Sequence, residues 1–111
     1  MELQIREELD GSTCVLQLEG ELDIHTAPML KERLVESISR GCVDIVVDLE
    51  AVSFIDSSGL GVLVSALRRA KEAGGKVSIV CSRESVLRIF SITGLDKAFP
   101  IYSELDEARR A

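Results

Sequence analysis

Apolar and polar residues alternate at the start of the chain. Leu3 and Ile5, and then Cys14, Leu16 and Leu18, take every second position, which is the period of a half-buried strand. Asp10-Gly11 lies between the two runs. It is a favoured tight-turn pair because it tolerates positive φ, so the opening is predicted to be a β-hairpin. The period then changes. After Gly20-Glu21-Leu22-Asp23 a helix is predicted from about Thr26, with Pro28 allowed in its first turn. Leu30, Leu34 and Ile38 recur every four residues on one face, and Gly41 ends the helix. Period two returns from Val43 to Leu49. Val43, Ile45, Val47 and Leu49 face one way, and Asp44, Val46 and Asp48 the other.

A short loop is predicted from Ser53 to Gly59. A long helix follows to about Ala73, with Leu60, Leu63, Leu67 and Ala70 on its buried face, and Gly74-Gly75 ends it. Lys76 to Cys81 alternates again as a strand. Ser82 is expected to cap a short helix carrying Val86, Leu87 and Phe90, closed by Thr93-Gly94. A brief extended piece covers Phe99–Ile101, and Ser103-x-x-Asp106 opens a last short helix. Strands joined by helices run parallel through right-handed crossovers. The expected fold is therefore α/β: a small mixed sheet, made of the hairpin plus parallel strands, with its helices packed mainly on one face. Alternating strands agree, because strands covered on both faces read as continuous apolar runs. No linker or repeat divides the 111 residues, so one domain over 1–111 is expected.

Composition narrows the function. Nineteen acids against thirteen bases give a net charge of −6. That argues against nucleic acid and against anionic membrane surfaces, which need clustered cations, and favours a basic partner surface. Cys14, Cys42 and Cys81 are far apart with no CxxC pair, and the chain has one His, so a zinc site is not expected; no cofactor is expected either. The cysteines read as core or strand-end residues of a cytoplasmic protein. The opening residues lack a basic-then-apolar run, so no secretory leader is expected, and no apolar run is long enough to span a bilayer.

The candidate chemistry sits at the carboxyl edge of the parallel strands, where ligands of open α/β sheets bind. Two loops meet there, Gly20–Thr26 and Ser53–Gly59. Ser57 falls at a helix N-terminus, where free amides and the helix dipole suit a phosphate. Asp56 and Asp23 nearby would repel it. A partner covering the bare hydroxyl would have to desolvate a dianion once the serine is phosphorylated. Asp-Ser-Ser-Gly is also an ordinary N-cap. Ser57 with His25 and Asp23 or Asp56 sketches a hydrolase triad, but no G-x-S-x-G elbow is present. Gly59-Leu60-Gly61 is a fragment of a phosphate loop without its third Gly, and more simply lets the helix start approach a neighbouring backbone. Arg68, Arg69, Lys71 and Lys76 are interrupted by Glu72 and read as a solvated face.

Four stretches resemble the anti-sigma factor antagonist family, whose fold is the STAS domain. They are Gly20-Glu21-Leu22-Asp23 followed by Ala27-Pro28, the strand ending Val47-Asp48-Leu49, Ser53 through Val62, and Leu87 through Leu95. The resemblance implies a binding module rather than an enzyme. In that family the Ser after the Asp is phosphorylated by an ATP-bound serine kinase that is itself the anti-sigma factor. That Ser corresponds to Ser57. The unphosphorylated form binds the kinase and frees the sigma factor; phosphorylation blocks binding, and a serine phosphatase restores it. Asp23, Asp56, Ser57, Ser58 and Gly59 are the implied partner-binding residues, with no catalytic or metal site. Two alternatives are a STAS scaffold in a transporter, lipid-transport or stress-signalling complex, and a weak nucleotide-binding or hydrolytic protein.

Overall fold

The computed structural model describes residues 2–111. The alternation at the start builds the hairpin: β1 (Leu3–Asp10) pairs antiparallel with β2 (Thr13–Leu22), and Gly11 takes φ 64° in the turn. Then come α1 (Ala27–Ser39), β3 (Asp44–Ile55), α2 (Ser57–Glu72), β4 (Lys76–Val80), α3 (Glu84–Thr93), a 3-10 turn at Leu95–Lys97, β5 (Ile101–Tyr102) and α4 (Leu105–Arg110). The strands lie in the order β1-β2-β3-β4-β5, and every pair after the hairpin is parallel. The expected mixed sheet is the observed one.

One face carries the main core. Leu16, Leu18 and Leu22 of β2, Ile45, Val47 and Leu49 of β3, and Val77 and Ile79 of β4 pack with Leu30 and Leu34 of α1, Leu63 and Ala70 of α2, and Val86 and Phe90 of α3. Phe90 meets Phe99 edge to face, ring centroids 6.1 Å apart. The short α4 covers part of the opposite face through Ala108 over Val15, Val46 and Val80. The edge strand β1 turns Glu7 toward α1, where it meets Arg33, Arg40 and Ser37. An inward-facing charge of this kind blunts an edge strand against further pairing.

Four expectations need correction. First, β3 runs to Ile55 rather than stopping at Leu49, so the loop predicted from Ser53 shrinks to Asp56 between strand and helix. The pairing explains why. While β2 advances from Gln17 to Glu19, β3 advances from Asp48 to Ala51, and again Gly20–Glu21 faces Val52–Phe54. Each bulge puts one extra residue in β3 and breaks the period of two. Second, Ser82 does not cap α3; its hydroxyl and amide both bond the Glu50 carboxylate, and Arg83 holds the cap position. Third, α4 starts one residue late, at a reciprocal Glu104/Glu107 capping box. Fourth, Cys14 and Cys42 are not separate core or strand-end residues but are joined in a disulfide, with Cys81 free and buried. The α1 crossover brings together two sulfurs 28 residues apart in sequence. No helix among the described residues is long and apolar enough to cross a membrane.

Candidate functional site

The carboxyl edge is built around Asp56. Strand pairing continues to its backbone, whose N–H donates to the Leu22 carbonyl at 3.1 Å. The chain then turns directly into α2, with Asp56 as N-cap and Ser57 as the first helical residue. Asp56 Oδ1 accepts from the amides of Ser58 (2.9 Å) and Gly59 (3.1 Å). Its Oδ2 reaches across and accepts from the Ile24 amide at 3.1 Å. One carboxylate thus caps the helix and ties down the β2–α1 loop.

That loop is organised by Asp23 and Thr26. Asp23 is buried, 5% exposed, and its Oδ1 accepts from the amides of His25 (2.9 Å) and Thr26 (3.1 Å). The Thr26 hydroxyl accepts from the Asp23 amide and donates to the Glu21 carbonyl at 2.8 Å. Burial works against the Asp23 charge, but the amides of Thr26 and His25, with the Thr26 hydroxyl, outweigh it and hold the carboxyl below its ordinary range. Asp23 Oδ2 and Glu21 Oε1 are buried without a partner among the described residues.

The structure therefore brings Asp23, Asp56, Ser57, Ser58 and Gly59 to one edge, in different situations. Ser57 is exposed, Asp56 and Ser58 are half-buried, and Asp23 and Gly59 are buried. Gly59 is needed for packing, since a Cβ there would lie 2.6 Å from Leu22 Cγ. The expectation that both glycines serve close approach holds only for Gly59, and toward side chains rather than backbone; Gly61 faces open space. Two of the first-turn amides expected to cradle a phosphate on Ser57 are engaged, because Asp56 already takes those of Ser58 and Gly59. No triad contact is present among the described residues: His25 bonds Asp23 through its backbone amide, and the Asp56 oxygens accept backbone amides rather than the imidazole.

Sequence reasoning missed the apolar surroundings. Of the five large exposed apolar side chains among the described residues, Ile24, Met29 and Phe54 belong to this edge. Ile24 follows Asp23, Phe54 lies two residues before Asp56, and Met29 is in the first turn of α1. What marked Ile24 in the sequence was its place as an apolar residue between Asp23 and His25. Phe54 was hidden by the bulges, which left its facing undecided.

The STAS domain matches residues 3–108 of this chain. The chain belongs to the anti-sigma factor antagonist family of STAS domains. It is 37% identical over 103 residues to the anti-sigma F factor antagonist of Paenibacillus polymyxa, covering 92% of this chain and 88% of that one. The anti-sigma factor antagonist of Mycobacterium paratuberculosis superposes with a TM-score of 0.91 at 30% identity, over 98% of this chain and 92% of that one. The Bacillus cell fate determinant SpoIIAA in its phosphorylated form superposes with a TM-score of 0.76 at 25% identity, over 96% and 98% of the two chains. The Asp56 cap thus sits at the start of α2 in a STAS domain whose relatives include one solved with phosphate attached.

Proposed function

We propose that this STAS domain is an anti-sigma factor antagonist that docks on an ATP-bound serine kinase through the Ser57 edge and is released when that kinase phosphorylates Ser57. The observation that carries the reading is the exposed Ser57 hydroxyl on the first residue of α2, with Ile24, Met29 and Phe54 exposed on the same edge. Apolar side chains around a small hydroxyl suit a water-excluding interface. The names of the relatives support the partner class. A serine phosphatase completes the cycle, and the cytoplasm is where such a partner would be met. Nothing in this reading requires the domain to be an enzyme or to hold a cofactor.

The residues divide the work. Ser57 carries the switch. Asp56 fixes the helix start and the Ile24 loop together. Asp23 acts from inside, holding that loop in shape. Ser58 and Gly59 present the first turn of α2. Incubation with the cognate kinase and ATP is expected to add one phosphate, mapped to Ser57 by mass spectrometry, and none to Ser57→Ala. Equal labelling of Ser57→Ala would remove Ser57 from the mechanism.

A further inference from the structure

The amino edge of the sheet, opposite the Ser57 edge, holds a second reactive feature. Cys14 is the second residue of β2 and is 1% exposed in the helix-covered core. Cys42 lies in the corner between α1 and β3, is half-buried, and follows Gly41, which takes φ 94°. Their Cα atoms are 6.2 Å apart, inside the span a disulfide bridges without moving the backbone. The bond closes a ring that contains most of β2, the Asp23 loop and all of α1. Cys81, the third cysteine, is buried in the core at the end of β4, and burial pushes its thiol above the ordinary value. It follows β4 at the carboxyl edge, while Cys14 and Cys42 lie at the amino ends of β2 and β3, so one pairing is available.

We propose that Cys14 and Cys42 form a reversible dithiol–disulfide pair, a redox modification site separate from Ser57 whose closure clamps the α1–β3 corner to the start of β2. The oxidant is a small-molecule disulfide such as oxidised glutathione. The accessible Cys42 thiolate attacks one glutathione sulfur; the Cys42–glutathione bond forms, the glutathione S–S bond breaks, and one glutathione thiolate leaves. The Cys14 thiolate then attacks Cys42 Sγ and expels the second. Two electrons pass from the cysteine pair to the glutathione disulfide, and the two cysteine protons end on the two glutathione thiols. The reverse sequence opens the clamp. Because the ring is long, closing it restricts the unfolded chain and stabilises the fold.

The test uses the whole protein, reduced, then treated with oxidised glutathione. Its intact mass is expected to fall by two hydrogen atoms, with two of the three thiols lost to alkylation. Dithiothreitol on the folded protein is expected to return all three. The oxidised form is expected to melt on the order of 10 °C higher than the reduced form. Cys42→Ser, at a half-buried position, is expected to show neither the mass loss nor the Tm difference, and Cys14→Ala to stop at a single glutathione adduct on Cys42 with no loss of two hydrogens. In the wild type, a persistent single glutathionyl adduct, unchanged thiols, a bond that dithiothreitol cannot open in the native state, or equal Tm values would each overturn the proposal. The wild-type mass and thiol measurements need no variant to fold.

Discussion

Ser57→Asp is expected to abolish tight docking on the cognate anti-sigma factor while leaving the fold intact. The side chain at 57 is exposed in the free domain and would be covered in the complex. A carboxylate enclosed there without a cation loses its water shell, a penalty of several kcal/mol per ion. Interfaces that enclose an unpaired charge lose about 2–5 kcal/mol, roughly a 30-fold to several-thousand-fold weaker Kd. The fold itself tolerates the change. An acidic residue in the first turn of a helix is favourable by about 0.3–1 kcal/mol, which offsets repulsion from Asp56. Calorimetric titration of the two proteins, with a thermal melt of each, checks both halves. Unchanged affinity would mean that position 57 lies outside the contact.

Phe90→Ala is expected to have the largest effect on stability, and none on docking of the protein that stays folded. Phe90 is fully buried and meets Phe99 edge to face. Its removal leaves a cavity between α3 and the sheet, and truncations of this kind cost about 3–5 kcal/mol. Against a typical domain stability of roughly 5–15 kcal/mol that is a large share. Denaturant unfolding is expected to show a lower midpoint with an unchanged m-value. At a temperature where the variant remains folded, partner affinity is expected to match the wild type, since α3 begins beyond β4 and contributes none of the residues of the Ser57 edge. A loss below about 1 kcal/mol would show that the surroundings collapse onto the gap.

The fold was legible because each element states its period locally. Leu30 and Leu34 on α1, and Leu60, Leu63, Leu67 and Ala70 on α2, are buried as their spacing requires. Where reading failed, a distant partner decided the outcome. Period two ends at Leu49 because two bulges opposite β2 insert extra residues into β3; nothing within residues 50–55 announces where β2 will slip. Ser82 looks like a cap in sequence, but the Glu50 carboxylate from β3 reaches it first. The bond between Cys14 and Cys42 depends on where the α1 crossover returns.

The edge itself was half legible. Asp-Ser-Ser-Gly predicts a capped helix start, and Asp56 caps α2. The sequence could not tell that Asp56 also holds the Ile24 amide, or that Asp23 turns inward while Ile24, Met29 and Phe54 stay exposed. Both are matters of how two loops meet, and the strand register sets them. The same register leaves no free first-turn amide at Ser58 or Gly59 for a phosphate on Ser57. Asp56 already caps α2, so the domain offers that charge little beyond the helix dipole, and the larger consequence falls on whatever protein covers the serine.

Hydrogen exchange of the chain with and without its cognate anti-sigma factor tests this most directly. For the unphosphorylated protein, the amides of residues 23–26 and 56–60 are expected to gain protection on adding the partner, and that gain is expected to vanish when Ser57 carries phosphate. Protection appearing elsewhere on the domain, with these two segments unchanged, would contradict the account.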